Sequence, residues 1–307
     1  MSLRDRIGFD SGATNLEDSL ETAKSHGFHY LDFGADTGPN RLGNWTNERA
    51  NTVRNVCHQN GIRLSLHTAS SVNIAEFSPY VSDAVDQYLR GYIDLAKVLD
   101  CNGVVVHSGY HFSSQLEARK LASLERLQRS VAYAEEQGVK LFLENLNFEP
   151  NDAEIHYLAH TVEESRYYFD AISSDSFSGA FTVNHANLVL EGINGFLDAF
   201  GVDRIGEVRL ADYLGDREVH LNPGEGNIDF PAVFHRLESS GYLGFDTMAF
   251  GSLEDKLKAR DVFGDYEYPS ADIGVKRRRS SCPHTNIKTD PGSIPRPVCE
   301  GAWPPAP

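Results

Sequence analysis

The sequence predicts an α/β chain folded as one (β/α)8 barrel with an irregular C-terminal tail. Three observations carry that prediction. Eight short apolar runs alternate with longer amphipathic ones, several amphipathic runs end at a Gly, and three successive apolar runs end in His, His and Glu. The chain has 307 residues, and a barrel of this kind takes roughly 250.

The strand-like runs fall at 6–9, 30–33, 63–67, 103–107, 140–144, 179–183, 204–210 and 245–249. Helical periodicity fills 16–25, 47–59, 82–99, 114–137, 161–170, 192–199 and 230–240 between them. Gly27, Gly61, Gly138 and Gly241 stand at helix exits, where a residue without Cβ enters the left-handed region at little cost. Eight such repeats fit a closed barrel or a doubly wound sheet. No G-x-G-x-x-G follows the first strand, which weighs against a nucleotide cofactor and for the barrel.

Composition changes near residue 263. The barrel is expected over 1–262, and 263–307 is expected to be disordered or loosely attached. That tail holds eight of the 13 Pro and the run Lys276, Arg277, Arg278 and Arg279, a solvated face or a contact for an acidic partner. The start lacks an apolar leader, and no apolar run reaches 18 residues, so a cytoplasmic chain with no membrane span is expected. Cys57 and Cys101 are expected as free thiols in helical stretches. The formal charge of −16 opposes nucleic acid as a partner.

Side chains at the C-terminal ends of barrel strands converge on one mouth. The third strand ends LSLH at His67, the fourth VVVH at His107, and the fifth LFLE at Glu144. Asn184 and His185 follow the sixth; Glu218, Val219 and His220 follow the seventh. Imidazole nitrogen and carboxylate oxygen are the ligand types of zinc and related divalent ions. A divalent metal, zinc or manganese, is therefore expected where His67, His107 and Glu144 converge, with His185 and His220 in the loops close by. A lone His at a strand end is usually structural, but several converging ends point to a site. The loops at 36–45 and 148–160 are expected to cover it.

At these residues the sequence resembles the xylose isomerase-like barrel superfamily, which includes sugar isomerases and epimerases, dehydratases and abasic-site nucleases of the endonuclease IV class. The resemblance spans about residues 5 to 262, through LEDSLETAKSHGFHYLDFG, the His67 strand, VVVHSG, LFLENLN, VNHANL and HLNPGEGNIDF. It implies that His67, His107 and Glu144 hold one nuclease-type metal, and that His185, Glu218 and His220 belong to another. The metal shared with the epimerases keeps only Glu144, because Thr182, Arg209 and Ala249 stand at its other ligand positions.

The expected activity is an isomerase, epimerase or dehydratase-like lyase acting by proton abstraction on a small polyhydroxylated carbonyl substrate. Glu144, His107, His185 and Arg209 are the candidate catalytic groups. Asn145, Asn147, Asn187 and Arg209 are candidates for substrate contact. Arg209 would replace the lost ion and grip a substrate carboxylate or phosphate, or form an ion pair with Glu144 or Asp212. A metal-dependent phosphoesterase and a non-catalytic ligand-binding barrel are the alternatives, and homo-oligomerisation is left open.

Overall fold

The computed structural model describes residues 2–112, 114–215, 219–249 and 251–264. Its strands in chain order are β1 (Ile7–Asp10), β2 (Tyr30–Phe33), β3 (Arg63–His67), β4 (Val104–Val106), β5 (Tyr110–His111), β6 (Leu141–Glu144), β7 (His156–Tyr157), β8 (Phe177–Thr182), β9 (Ile205–Leu210) and β10 (Phe245–Met248). Eight of them close a parallel barrel in the order β1, β2, β3, β4, β6, β8, β9, β10, with β1 pairing β10. Strands β5 and β7 form a separate antiparallel pair, with Tyr110 opposite Tyr157. The described residues lie in one compact unit.

Strand alternation sorts the side chains. Leu31 and Phe33 join the core beneath the outer helices, while Tyr30 and Asp32 alternate with them. Phe142, Val105 and Ala180 form their own small apolar cluster, separate from that core. Gly103 and Gly206 flank the Phe142 ring, and a Cβ at either position would fall within it. Tyr30 stacks on Phe245 at 4.3 Å between centroids. These rings underlie the polar residues at the strand tips.

The long helices are Leu16–His26, Asn47–Asn60, Pro79–Leu99, Leu116–Gln137, Val162–Phe169, Gly192–Phe200, Phe230–Ser239 and Leu253–Gly264. Asn15, Thr46, Thr161 and Asp229 cap four of them through side-chain oxygens. No helix among the described residues is long and apolar enough to cross a membrane.

The last helix departs from the sequence expectation. Its buried positions include Lys256 and Arg260, which hide an apolar stripe behind charged residues. The Arg260 guanidinium lies 3.9 Å from the Phe28 ring centroid, and the Lys256 ammonium 5.6 Å from that of Phe9. Phe263, assigned to the tail, instead packs on Phe230 and Phe234. The expectations for 265–307 lie outside the described residues. Cys101 follows a helix rather than lying within one, and both it and Cys57 are free thiols.

A buried charge links the short N-terminal helix Leu3–Arg6 to the barrel base. Arg6 donates to the Tyr242 carbonyl at 3.0 Å and to Glu238 at 2.7 Å, but stands 3.8 Å from Asp246. Neither Asp246 oxygen meets a hydrogen-bond donor among the described residues. Burial therefore outweighs the Arg6 charge and pushes the Asp246 carboxyl up to about 7. A folded-state value above the unfolded one means that stability falls as pH rises through that window. Between pH 5 and 8 the loss from this group should exceed about 1 kcal/mol. Asp246→Asn should remove that contribution, read by urea denaturation at both pH values; an unchanged difference would refute the assignment.

Candidate functional site

The sequence places His67 and Glu144 at the ends of β3 and β6, with His107 one residue beyond β4. The barrel brings them together. His67 Nε2 and His107 Nε2 are 3.1 Å apart, and Glu144 Oε2 is 3.4 Å from the first and 3.1 Å from the second. Each ring is held from behind. Thr68 Oγ1 donates to the Val105 carbonyl at 3.0 Å, so it accepts from His107 Nδ1 at 3.2 Å. His67 Nδ1 faces Asp32 Oδ2 at 3.3 Å. Both Nε2 atoms are thereby directed toward the Glu144 oxygen.

These atoms fit a divalent cation. Metal bonds of 2.0–2.1 Å in a tetrahedral shell imply ligand–ligand edges of roughly 3.3 Å. The three observed edges lie close to that length. A rear N–H bonded to a carboxylate or hydroxyl is also the usual support for a ligating imidazole.

Protein charges tune the same groups. Burial pushes the Glu144 carboxyl up, but its close contacts with His107 and His67 and the nearby positive charges hold it well below the usual range. Burial and Arg209 push His67 down, yet its bonds to Asp32 and Glu144 lift it to about 9. Burial lowers His107. Burial and Asp32 raise the Asp10 carboxyl.

Arg209 occupies the interior beside this triangle. Its Nη1 donates to Asp32 Oδ2 at 2.5 Å and to Glu207 Oε1 at 2.9 Å. Its Nε is 3.9 Å from Glu144 Oε1, and its Nη2 is 3.8 Å from Asp10 Oδ2. The guanidinium thus serves two buried acids, neither of them anticipated as its partner. Asp212 is engaged elsewhere, accepting from the backbone N–H groups of Tyr213, Gly224, Gly226 and Ile228.

A polar cavity of about 490 Å³ opens above the triangle. Asn147, His185, Arg209 and His220 line it, as do Asp36, Glu149 and Tyr157 from the covering loops. His185 donates from Nδ1 to the Asn145 carbonyl at 2.8 Å, and its ring meets that of His220 edge-on at 5.7 Å. Asn145 has a different task. Its amide exchanges two hydrogen bonds with the Thr182 backbone, bracing β6 against β8 outside the cavity lining. Asn187 ends the short Val183–Asn187 helix and is also outside the lining, because that turn carries it past the mouth. Glu218 lies outside the described residues.

Sequence reasoning missed Asp32, Thr68, Glu207 and Asp10. The signal for Asp32 and Glu207 was an acid within an apolar strand, and Asp10 ends its strand as His67 does. Thr182 was noted only as a departure. Its hydroxyl donates to Glu144 Oε1 at 2.5 Å and fixes that carboxylate.

Comparison with known proteins agrees with this architecture. The chain is 28% identical over 205 residues to an uncharacterised protein of Methanocaldococcus jannaschii, covering 64% of this chain and 67% of that one. It is 25% identical over 203 residues to a probable endonuclease 4 of Staphylococcus saprophyticus, covering 63% of this chain and 62% of that relative. A D-tagatose 3-epimerase-like protein superposes with a TM-score of 0.74 at 25% identity, over 84% of this chain and 95% of that one. The model of the xylose isomerase-like TIM barrel matches residues 20–253. The closed barrel and that match, which spans most of the sequence, establish that the chain belongs to the xylose isomerase-like TIM barrel family.

Proposed function

We propose that the chain is an isomerase- or epimerase-like enzyme that removes a proton beside the carbonyl of a small, neutral polyhydroxylated substrate. We place a divalent metal, zinc or manganese, on His67, His107 and Glu144. The observation carrying this reading is the 3.1–3.4 Å triangle beneath a polar cavity. The likeness to a D-tagatose 3-epimerase-like protein supports the substrate class. When bound, the ion supplies positive charge that polarises a substrate carbonyl oxygen.

The protein's own groups prepare that chemistry. Asp32 and Thr68 fix the two imidazoles, and Thr182 fixes Glu144. Buried supports of this kind keep the donors preorganised. The cavity lies within the roughly 300–1,000 Å³ range of small-molecule sites. Asn147 offers a neutral hydrogen-bonding edge to a hydroxyl group. Arg209 already serves Asp32 and Glu207, so a bidentate grip on a substrate anion would compete with both acids. A neutral sugar fits better. The −16 charge likewise opposes a DNA substrate.

The test uses the full chain loaded with manganese or zinc. D-xylose, D-glucose, D-fructose, D-tagatose and D-psicose are incubated with it in D2O, and deuterium entry beside the carbonyl is followed by NMR. Exchange with at least one sugar, lost on chelation, is the expected result. Absence of exchange across the panel, with or without bound metal, would overturn the proposal. Cleavage of an abasic oligonucleotide under those conditions would transfer the site to phosphoester chemistry.

A further inference from the structure

We propose that Asp10 is the acid–base group that exchanges the proton with substrate carbon, while Glu144 is confined to holding the metal. This inference rests on the isomerase-like reading above and assigns its central step.

Glu144 is poorly placed to take a proton from carbon. Its Oε2 faces His67 and His107, and its Oε1 receives the Thr182 hydroxyl at 2.5 Å. Its side chain is only 4% exposed. A carboxylate committed on both oxygens must break a contact before it can meet a substrate.

Asp10 has the opposite surroundings. It ends β1, whose Phe9 pairs with Met248 of β10. The next step along both strands brings Asp10 beside Ala249, and both line the cavity. The Gly12 N–H donates to Asp10 Oδ1 at 2.6 Å and fixes the carboxylate plane. Oδ2 faces Arg209 Nη2 at 3.8 Å, beyond hydrogen-bond reach, and the side chain is 21% exposed. One oxygen is anchored, and the other lies 3.8 Å from a fixed positive charge, in a residue that lines the cavity within 4.8 Å of ligand atoms of Asp32 and His67.

The other cavity acids are committed or placed differently. Asp36 accepts from the Tyr88 and Tyr92 hydroxyls. Glu149 accepts from the Asn147 amide. Asp32 is not part of the lining and is fully buried against Arg209.

The step balances without an oxidant or reductant. Asp10 removes a proton from the carbon beside the carbonyl. The C–H electron pair becomes the new C=C bond, and the carbonyl π pair moves onto oxygen. The proton of the adjacent hydroxyl crosses to that oxygen, the oxygen it leaves forms the new C=O, and the C=C pair takes the proton back from Asp10 at the former carbonyl carbon. One base on one face moves the carbonyl between adjacent carbons without inverting a centre. Aldose–ketose isomerisation is therefore the expected outcome, rather than epimerisation.

Wild type, Asp10→Asn, Asp10→Glu and His107→Ala are compared by metal content, thermal midpoint and deuterium exchange with the same five sugars. Loss of a positioned acid–base group typically costs 10²–10⁴-fold in rate. Asp10→Asn should keep its metal and its fold but lose exchange at least about 100-fold, with partial recovery in Asp10→Glu. Exchange in Asp10→Asn within a few-fold of wild type, alongside loss in His107→Ala, overturns the Asp10 role and leaves the isomerase-like reading standing. Loss of metal from Asp10→Asn moves Asp10 into the metal centre and also overturns its assignment. A wild-type protein that binds metal but exchanges none of the sugars overturns both.

Discussion

Replacing His107 with alanine is expected to lower metal affinity at least about 100-fold, enough to leave the purified protein essentially metal-free. His107 supplies one corner of the triangle, at 3.1 Å from both His67 Nε2 and Glu144 Oε2. Removing one of three protein donors leaves the ion with two, too few for the closed part of a catalytic zinc shell. Thr68→Val provides the graded comparison. It keeps the imidazole but removes the hydroxyl behind Nδ1, and outer-shell losses of this type cost roughly 10–100-fold. The expected order of metal retention is therefore wild type, then Thr68→Val, then His107→Ala. Metal analysis after dialysis, with titration against a chelating indicator, measures it. Full metal content in His107→Ala would remove this histidine from the centre. An unfolded variant would be recognised by circular dichroism, and His107→Gln would then repeat the test with a residue of closer volume.

Much of the barrel was legible because its strands are short apolar runs ended by recognisable turns. β2 and β3 fall at the expected residues, and β6, β9 and β10 deviate by one residue at an end. The convergence of His67, His107 and Glu144 was legible for a related reason. Once strands are parallel and adjacent, side chains at equivalent ends must share a mouth. What surrounds the triangle was harder to read. Asp32 and Glu207 lie inside strands, where an acid gives no indication of its partner until closure carries β9 toward β2. Asn145 sits beside Glu144 in sequence, yet strand alternation directs it to the β8 backbone rather than the cavity. The Leu253–Gly264 helix escaped notice because Lys256 and Arg260 bury their aliphatic stems where an apolar residue was expected.

Arg209→Met should destabilise the fold by about 3–5 kcal/mol, the usual effect of removing one partner from a buried ion pair. The arginine is 4% exposed, and its Nη1 donates to Asp32 and Glu207, neither of which is exposed at all. Tyr30 donates to the other Glu207 oxygen at 2.5 Å, so the network continues down the barrel interior. Methionine matches much of the arginine stem, which separates loss of charge from loss of volume. The two acids would face each other in a poorly solvated interior without a counter-charge, and like charges so placed are costly. Combining Arg209→Met with Glu207→Gln should recover part of the loss by removing one negative charge. The recovery should be partial, because Asp32 still faces His67 and Tyr30 then meets an amide. Urea denaturation of the two variants and wild type in one buffer measures the coupling. A loss below about 1 kcal/mol for Arg209→Met would show that the acids find other compensation, and would return the guanidinium to the cavity as a group available for substrate.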